Sequence, residues 1–201
     1  MTSLFLLSVL FTQAPATPDA TIQAYRAAIA RADVEAFANL TQSPTGATLR
    51  KMAPPLKKAQ AASEALSKAL SEKPALGLSN PFANNLNPLT GYLLEVIELT
   101  PGKEQHLVRV RFGTAGKLQE ETLSIKKEGD NFRVSLPSVY LKSVNGITPE
   151  QLTKQIDMLG KLTISMTSIA EQVAKGELTT KEAVLLKLAQ AAKELDTNPK
   201  R

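Results

Sequence analysis

Between residues 91 and 137 apolar and polar side chains alternate in short runs, while on either side of that stretch apolar residues recur every three or four positions. Alternation marks strands with one buried face, and the longer period marks amphipathic helices. The pattern predicts an α+β protein. N-terminal helices pack on a curved four-stranded antiparallel sheet, and a C-terminal α-helical hairpin follows.

The first helix has a clear start. Thr17 can cap free amides, Pro18 suits the first turn, and Asp19 favours the positive end of the dipole. It runs to about Arg31 with Ile22, Tyr25 and Ile29 on one face, and Asp33 opens a short second helix that buries Val34, Phe37 and Leu40. After a turn at Ser43-Pro44-Thr45-Gly46, Pro54-Pro55 is expected to open a third helix, since neither residue can donate a backbone bond inside one. That helix carries Leu56, Ala59, Leu66 and Leu70 and must end by Lys73, because Pro74 pushes its predecessor out of helical space. From Leu76 to Thr90 the Asn, Pro and Gly content predicts a loop.

Four strand-like runs follow, over 91–100, 104–113, 117–127 and 131–137, separated by Pro101-Gly102, Ala115-Gly116 and Gly129-Asp130. Val108, Val110 and Phe112 form one face of the second run, as Phe132, Val134 and Leu136 do of the fourth. In the third run only Leu118, Leu123 and Ile125 are apolar, and Leu118 lies out of phase with the other two. A tight turn at Ala115-Gly116 would set Glu121 opposite Val110 on the buried face, so a bulge or longer turn is expected there.

Beyond Tyr140, Thr148-Pro149-Glu150 opens a helix with Leu152, Ile156, Leu159, Met166, Ala170 and Val173 inward, and Gly176 ends it. Thr179 and Glu182 read as a capping box for a last helix with Val184, Leu185, Leu188, Ala192 and Leu195 inward. The expected division is a segment 1–16, a body 17–140 and a hairpin 148–196.

Composition narrows the chemistry. The 201 residues contain no Cys, no Trp and one His, His106, with a net charge of +5. Disulfides, thiolate nucleophiles and iron–sulfur sites are excluded, and a lone imidazole favours neither a His-based triad nor a metal site. No metal and no cofactor is expected. Between Thr48 and Lys73 six basic residues stand against Glu64 and Glu72. Interleaved aromatics and Gly-rich loops are missing there, so this reads as a solvated face and no nucleic acid is expected as a partner.

Leu4 to Phe11 is an apolar stretch, and Ala14-Pro15-Ala16 follows shortly after it. The run is too short to span a bilayer, and Ala14 and Ala16 supply small residues at alternate positions. It reads as a signal peptide cleaved after Ala16, which predicts an exported, periplasmic or secreted protein with no stable membrane span. No Lys or Arg precedes the run, which departs from the usual signal. The alternative is a buried N-terminal strand or helix.

Two segments carry a likeness. The stretch Ile22-Gln23-Ala24-Tyr25-Arg26-Ala27-Ala28-Ile29-Ala30-Arg31-Ala32-Asp33 and the hairpin Thr122–Val134 around Gly129-Asp130 resemble the nuclear-transport-factor-2-like superfamily, in particular its exported lumazine-binding-like members. The likeness covers roughly 17–136 and leaves the hairpin outside. The family's usual Gly before the Asp is Ala32 here. The resemblance implies a cone-shaped body, with Tyr25, Ile29, Phe37, Val108, Val110, Phe112 and Val134 as its pocket lining.

It also implies an isomerase-like role for Tyr25 as oxyanion donor, but the inward sheet positions offer no carboxylate to act as base. No catalytic residue is therefore expected. The leading expectation is a non-catalytic interaction or scaffold protein, with an unknown protein partner or self-association through the hairpin. The alternative is a binder of a small apolar ligand in the cone, and an isomerase-like enzyme has the least support.

Overall fold

The computed structural model describes residues 15, 17–83, 86–144 and 146–195. The expected signal segment lies outside the described residues, apart from Pro15. The elements are α1 (Pro18–Ala30), α2 (Val34–Leu40), α3 (Thr45–Ser71), β1 (Tyr92–Thr100), β2 (His106–Thr114), β3 (Lys117–Glu128), β4 (Asn131–Val134), α4 (Ser138–Val144), α5 (Pro149–Lys175) and α6 (Lys181–Leu195). The fold is α+β, as the alternation predicts. Among the described residues no helix is long and apolar enough to cross a membrane.

Two compact units share the chain. A sheet unit comprises the chain up to Arg50 with Leu89–Asn145, and a helical unit comprises Lys51–Pro88 with the chain from Gly146. The body-plus-hairpin division follows sequence order, whereas the helical unit also takes most of α3 and the loop after it.

In the sheet unit, the Thr17 hydroxyl accepts the Ala20 N–H at 3.2 Å and the Asp33 carboxylate accepts the Ala36 N–H at 3.0 Å, so both short helices begin at a side-chain cap. Ala32 between them takes a positive φ of 52°, a conformation that costs a residue with a Cβ. The four strands form an antiparallel sheet in the order β1-β2-β3-β4. Ile22, Tyr25, Ile29 and Phe37 from the helices are buried, as are Leu94, Val108, Val110, Phe112, Leu123, Ile125 and Val134 from the sheet.

The opposite sheet face carries ion pairs beside the exposed Leu93 and Leu107. Glu95 and Glu120 flank Arg111 at 4.0 and 3.2 Å, and Arg109 meets Glu98 at 3.4 Å. These pairs are half exposed and worth little each, but they keep that face wet.

The turn after α2 is stitched to the β3–β4 hairpin. Thr41 bridges Val134, the Gln42 side-chain amide donates to the Ser124 and Arg133 carbonyls at 2.8 and 3.0 Å, and the Ser43 N–H donates to Glu128 at 2.9 Å. Arg50 closes the same corner by donating to the carbonyls of Ala38 and Thr41 at 3.1 and 3.2 Å. Gly46 is required here, because a Cβ would collide with the Thr41 carbonyl.

The structure corrects the start of α3. It begins at Thr45 and holds Pro54 and Pro55 in its interior. The missing N–H groups leave the carbonyls of Arg50 and Lys51 without their helical donors. Lys51 is exposed and Arg50 half-buried, so water can serve those oxygens. The division between the units falls at this same turn.

In the helical unit Ala59, Ala62, Leu66 and Leu70 of α3 share one apolar cluster with Leu162, Met166, Ile169 and Val173 of α5 and Val184 and Leu188 of α6. Thr148 and Gln151 form a full capping box at the start of α5, and Gly176 ends it at φ 74°. The expected cap of α6 shifts by one residue: the Thr180 hydroxyl accepts the Ala183 N–H at 3.3 Å. Leu76 is buried in that cluster and Leu78, Phe82 and Leu86 pack against it, so the Asn- and Pro-rich segment supplies part of the core.

Candidate functional site

The seven side chains expected to line a pocket belong to the sheet unit. Tyr25, Ile29, Phe37, Val108, Val110, Phe112 and Val134 are all buried, none above 4% exposure, and belong to the core of the sheet unit. Tyr25 stacks on Phe37 at 4.9 Å, and Phe112 stacks on Tyr92 at 5.2 Å. Tyr140 joins the two pairs, with its ring 5.7 Å from Phe37, 5.4 Å from Tyr92 and 5.6 Å from Phe112. All three tyrosines of the chain therefore meet in one cluster, two of them from positions that the sequence reading did not single out.

Their hydroxyls sit in a poor environment for charge. Burial pushes Tyr25 well above its ordinary phenol range, the neighbouring Thr41 hydroxyl partly opposes this, and Tyr140 and Glu121 raise it further. Tyr140 is raised as well, by burial first and by Tyr92 second. Thr41 donates its own proton to the Phe37 carbonyl at 2.8 Å. The Tyr25 oxygen ends fully buried with no hydrogen-bond partner.

A second correction concerns the sheet. The Ala115-Gly116 turn is tight, Thr114 pairs with Lys117, and the register runs unbroken to His106 opposite Ile125. Glu121 therefore stands opposite Val110, at an inward register position expected to hold no carboxylate. The bulge falls in β1 instead, between Val96 and Glu98. Glu121 is tolerated because it is only half-buried and its Oε2 accepts the Ser138 N–H, the first amide of α4, at 3.0 Å.

His106 is half-buried at the start of β2, with its ring against Phe132 at 5.8 Å and its Nδ1 accepting the Gly102 N–H at 3.4 Å. Among the described residues no group of three or more His, Asp or Glu side chains is placed to hold a metal ion.

The helical unit offers a surface. On α6, Val184, Leu188 and Ala191 are buried while Leu185 and Leu186 are 44% and 61% exposed. Ala189 and Ala192 are exposed too, which corrects the expected inward set: Leu185 and Ala192 face outward and Ala191 takes the inner place. Leu185, Ala189 and Ala192 follow the i, i+4, i+7 spacing of a second apolar stripe. On α5, Ile164 is 72% exposed.

No family profile, no curated protein and no solved structure matches this chain.

Proposed function

We propose that this is a non-catalytic interaction protein whose helical unit pairs with a second copy of the chain through the outer stripe of α6. The exposure of Leu185 and Leu186 on a helix whose other face is already buried carries this reading. An antiparallel pairing of two α6 helices about their middles sets each Leu185 against the second copy's Ala192, a large residue against a small one. Ala189 between them lets the backbones approach.

Catalysis has little to work with. Glu121 is engaged with Ser138, and the Tyr25 hydroxyl is fully buried. With the Leu4–Phe11 run read as an export address, the pairing takes place outside the cytoplasm, on a body read as nuclear-transport-factor-2-like.

Sedimentation at rising protein concentration tests the reading. The wild type is expected to shift from monomer to dimer, and Leu185→Glu to stay monomeric with an unchanged circular dichroism spectrum. A wild type that remains monomeric throughout removes the proposal.

A further inference from the structure

The sheet has two edges, and the chain finishes them differently. Beside β4, Thr41 bridges Val134 and the Gln42 N–H donates to the Val134 carbonyl at 2.9 Å. That edge is covered. β1 has no strand on its outer side, and among the described residues its backbone makes one bond beyond the sheet, from the Tyr92 N–H to the Leu89 carbonyl at 3.1 Å. Its side chains are left half covered as well. Val96 and Leu99 stand opposite the fully buried Val110 and Val108 but are only half-buried, while Leu93 and Ile97 are 42% and 37% exposed. An added strand would cover these residues and bond the free backbone groups in one step.

The charges say what kind of strand fits. Across the outer face one row reads Glu95, Arg111, Glu120 and the next reads Glu98, Arg109, so both rows end at the edge on a carboxylate. β1 itself carries no Lys or Arg. A second copy of β1 would add two more carboxylates and no cation, whereas a basic strand continues the alternation of sign. The bulge between Val96 and Glu98 limits the regular run to Tyr92–Val96, with Glu98 just beyond it. We propose that the β1 edge is a docking site for an extended basic segment of a partner protein. The segment adds a fifth strand, with apolar residues beside Leu93 and Ile97 and cations beside Glu95 and Glu98. This inference concerns the sheet unit and does not depend on pairing through α6.

The test uses the full chain, which contains no Trp, so a peptide with one terminal Trp is the reporter in fluorescence anisotropy. The probes are a peptide of alternating valine and lysine as long as β1, and the same peptide with glutamate in place of lysine. Two further lysine peptides carry N-methyl groups on the amides of one edge or of the other. Wild type is expected to bind the lysine peptide and to bind the glutamate peptide at least about fivefold more weakly, because two cross-strand charge pairs change sign. Of the methylated peptides, one should lose binding and the other keep it, since successive N–H groups of a strand point to opposite edges. The double variant Glu95→Lys with Glu98→Lys should prefer the glutamate peptide.

Failure of the lysine peptide to bind wild type overturns the proposal. Equal affinity for the lysine and glutamate peptides does so as well, and binding of both methylated peptides rules out strand addition. Dimerisation of the Leu185→Glu variant that excess lysine peptide reverses would give the edge to a second copy, and that outcome also overturns it. If the double variant fails to fold, the four peptides on wild type decide.

Discussion

The two units treat a buried polar group in opposite ways. In the helical unit the Asn80 side chain, 9% exposed, donates to the Ser63 carbonyl and hydroxyl at 2.8 and 2.7 Å and to the Ser67 hydroxyl at 3.0 Å, and its oxygen accepts the Phe82 N–H at 2.9 Å. In the sheet unit the Tyr25 hydroxyl is buried more deeply and holds nothing. A satisfied buried amide fixes one arrangement of the chain around it. An unsatisfied hydroxyl is a cost carried by the folded state, and it marks the place where a bond could still be formed.

The surrounding cores differ to match. Stacked and edge-on rings join the aliphatic core of the sheet unit, whereas the helical unit's cluster is aliphatic apart from Met166 and Phe82, with Ala59, Ala62 and Ala69 along α3.

Truncating one anchor in each core should break the comparison most sharply. Tyr25→Ala removes a ring stacked on Phe37 and is expected to cost about 3–5 kcal/mol, and Leu66→Ala is expected to cost about 2–5 kcal/mol. All three tyrosines belong to the sheet unit's cluster, so near-ultraviolet circular dichroism follows that unit, whereas the signal at helix wavelengths is weighted towards the long helices. Each variant should shift its own unit's transition more than the other. Equal shifts of both signals in both variants would show a single cooperative block and remove the contrast between the units.

The next effect is that of the satisfied amide. Asn80→Ala strips the partners from Ser63 and Ser67 and loosens the segment that brings Leu78 and Phe82 onto the helical core. A loss of about 1–3 kcal/mol is expected, visible in the helical unit's denaturant midpoint. A change below about 0.5 kcal/mol would mean that water replaces all four bonds and that Asn80 is no anchor.

Asn80 also shows where the sequence stops speaking. Asn next to Pro reads as a turn, and nothing in a turn signal says that the side chain will be swallowed by a neighbouring helix. Chain punctuation was legible where it acts locally: Thr17-Pro18-Asp19, Asp33, Thr148-Pro149 and Gly176 sit at the ends they announce. It failed at Pro54-Pro55, where the turns on either side carry the helix through two missing donors.

The inward set of α6 was ambiguous for another reason. Leu185 and Ala192 keep the same spacing as Val184 and Ala191, and only the neighbouring helices choose between the stripes. Glu121 was derivable from a tight Ala115-Gly116 turn. A carboxylate on a buried face is costly, which argues for a bulge, but partial exposure and the Ser138 amide lower that cost. Val108, Val110, Phe112 and Val134 are legible as buried from strand alternation, and Tyr25, Ile29 and Phe37 from the helical period, but Tyr92 and Tyr140, which complete the ring cluster, are not, because they approach from a strand end and a separate short helix.

The smallest expected effect is the most specific test of the unsatisfied hydroxyl. Tyr25→Phe keeps the ring on Phe37 and deletes only the oxygen, so at neutral pH it should cost nothing and is expected to gain about 1 kcal/mol. Alkali enlarges the difference. Burial raises the folded-state pKa of Tyr25 above the value of 10.0 that the unfolded chain retains. The neutral phenol is therefore favoured by folding. Its contribution is fully present below pH 10 and is lost as pH rises towards the folded value, by about 1.4 kcal/mol per pH unit for one such group. Tyr25→Phe should escape that loss, while Tyr140, also raised, keeps its own share in both proteins. Chemical denaturation of the two at pH 7 and at pH 11 reads the difference directly. A Phe variant less stable than wild type by 1 kcal/mol or more at pH 7 would show that the hydroxyl has a partner, and would take away the contrast with Asn80.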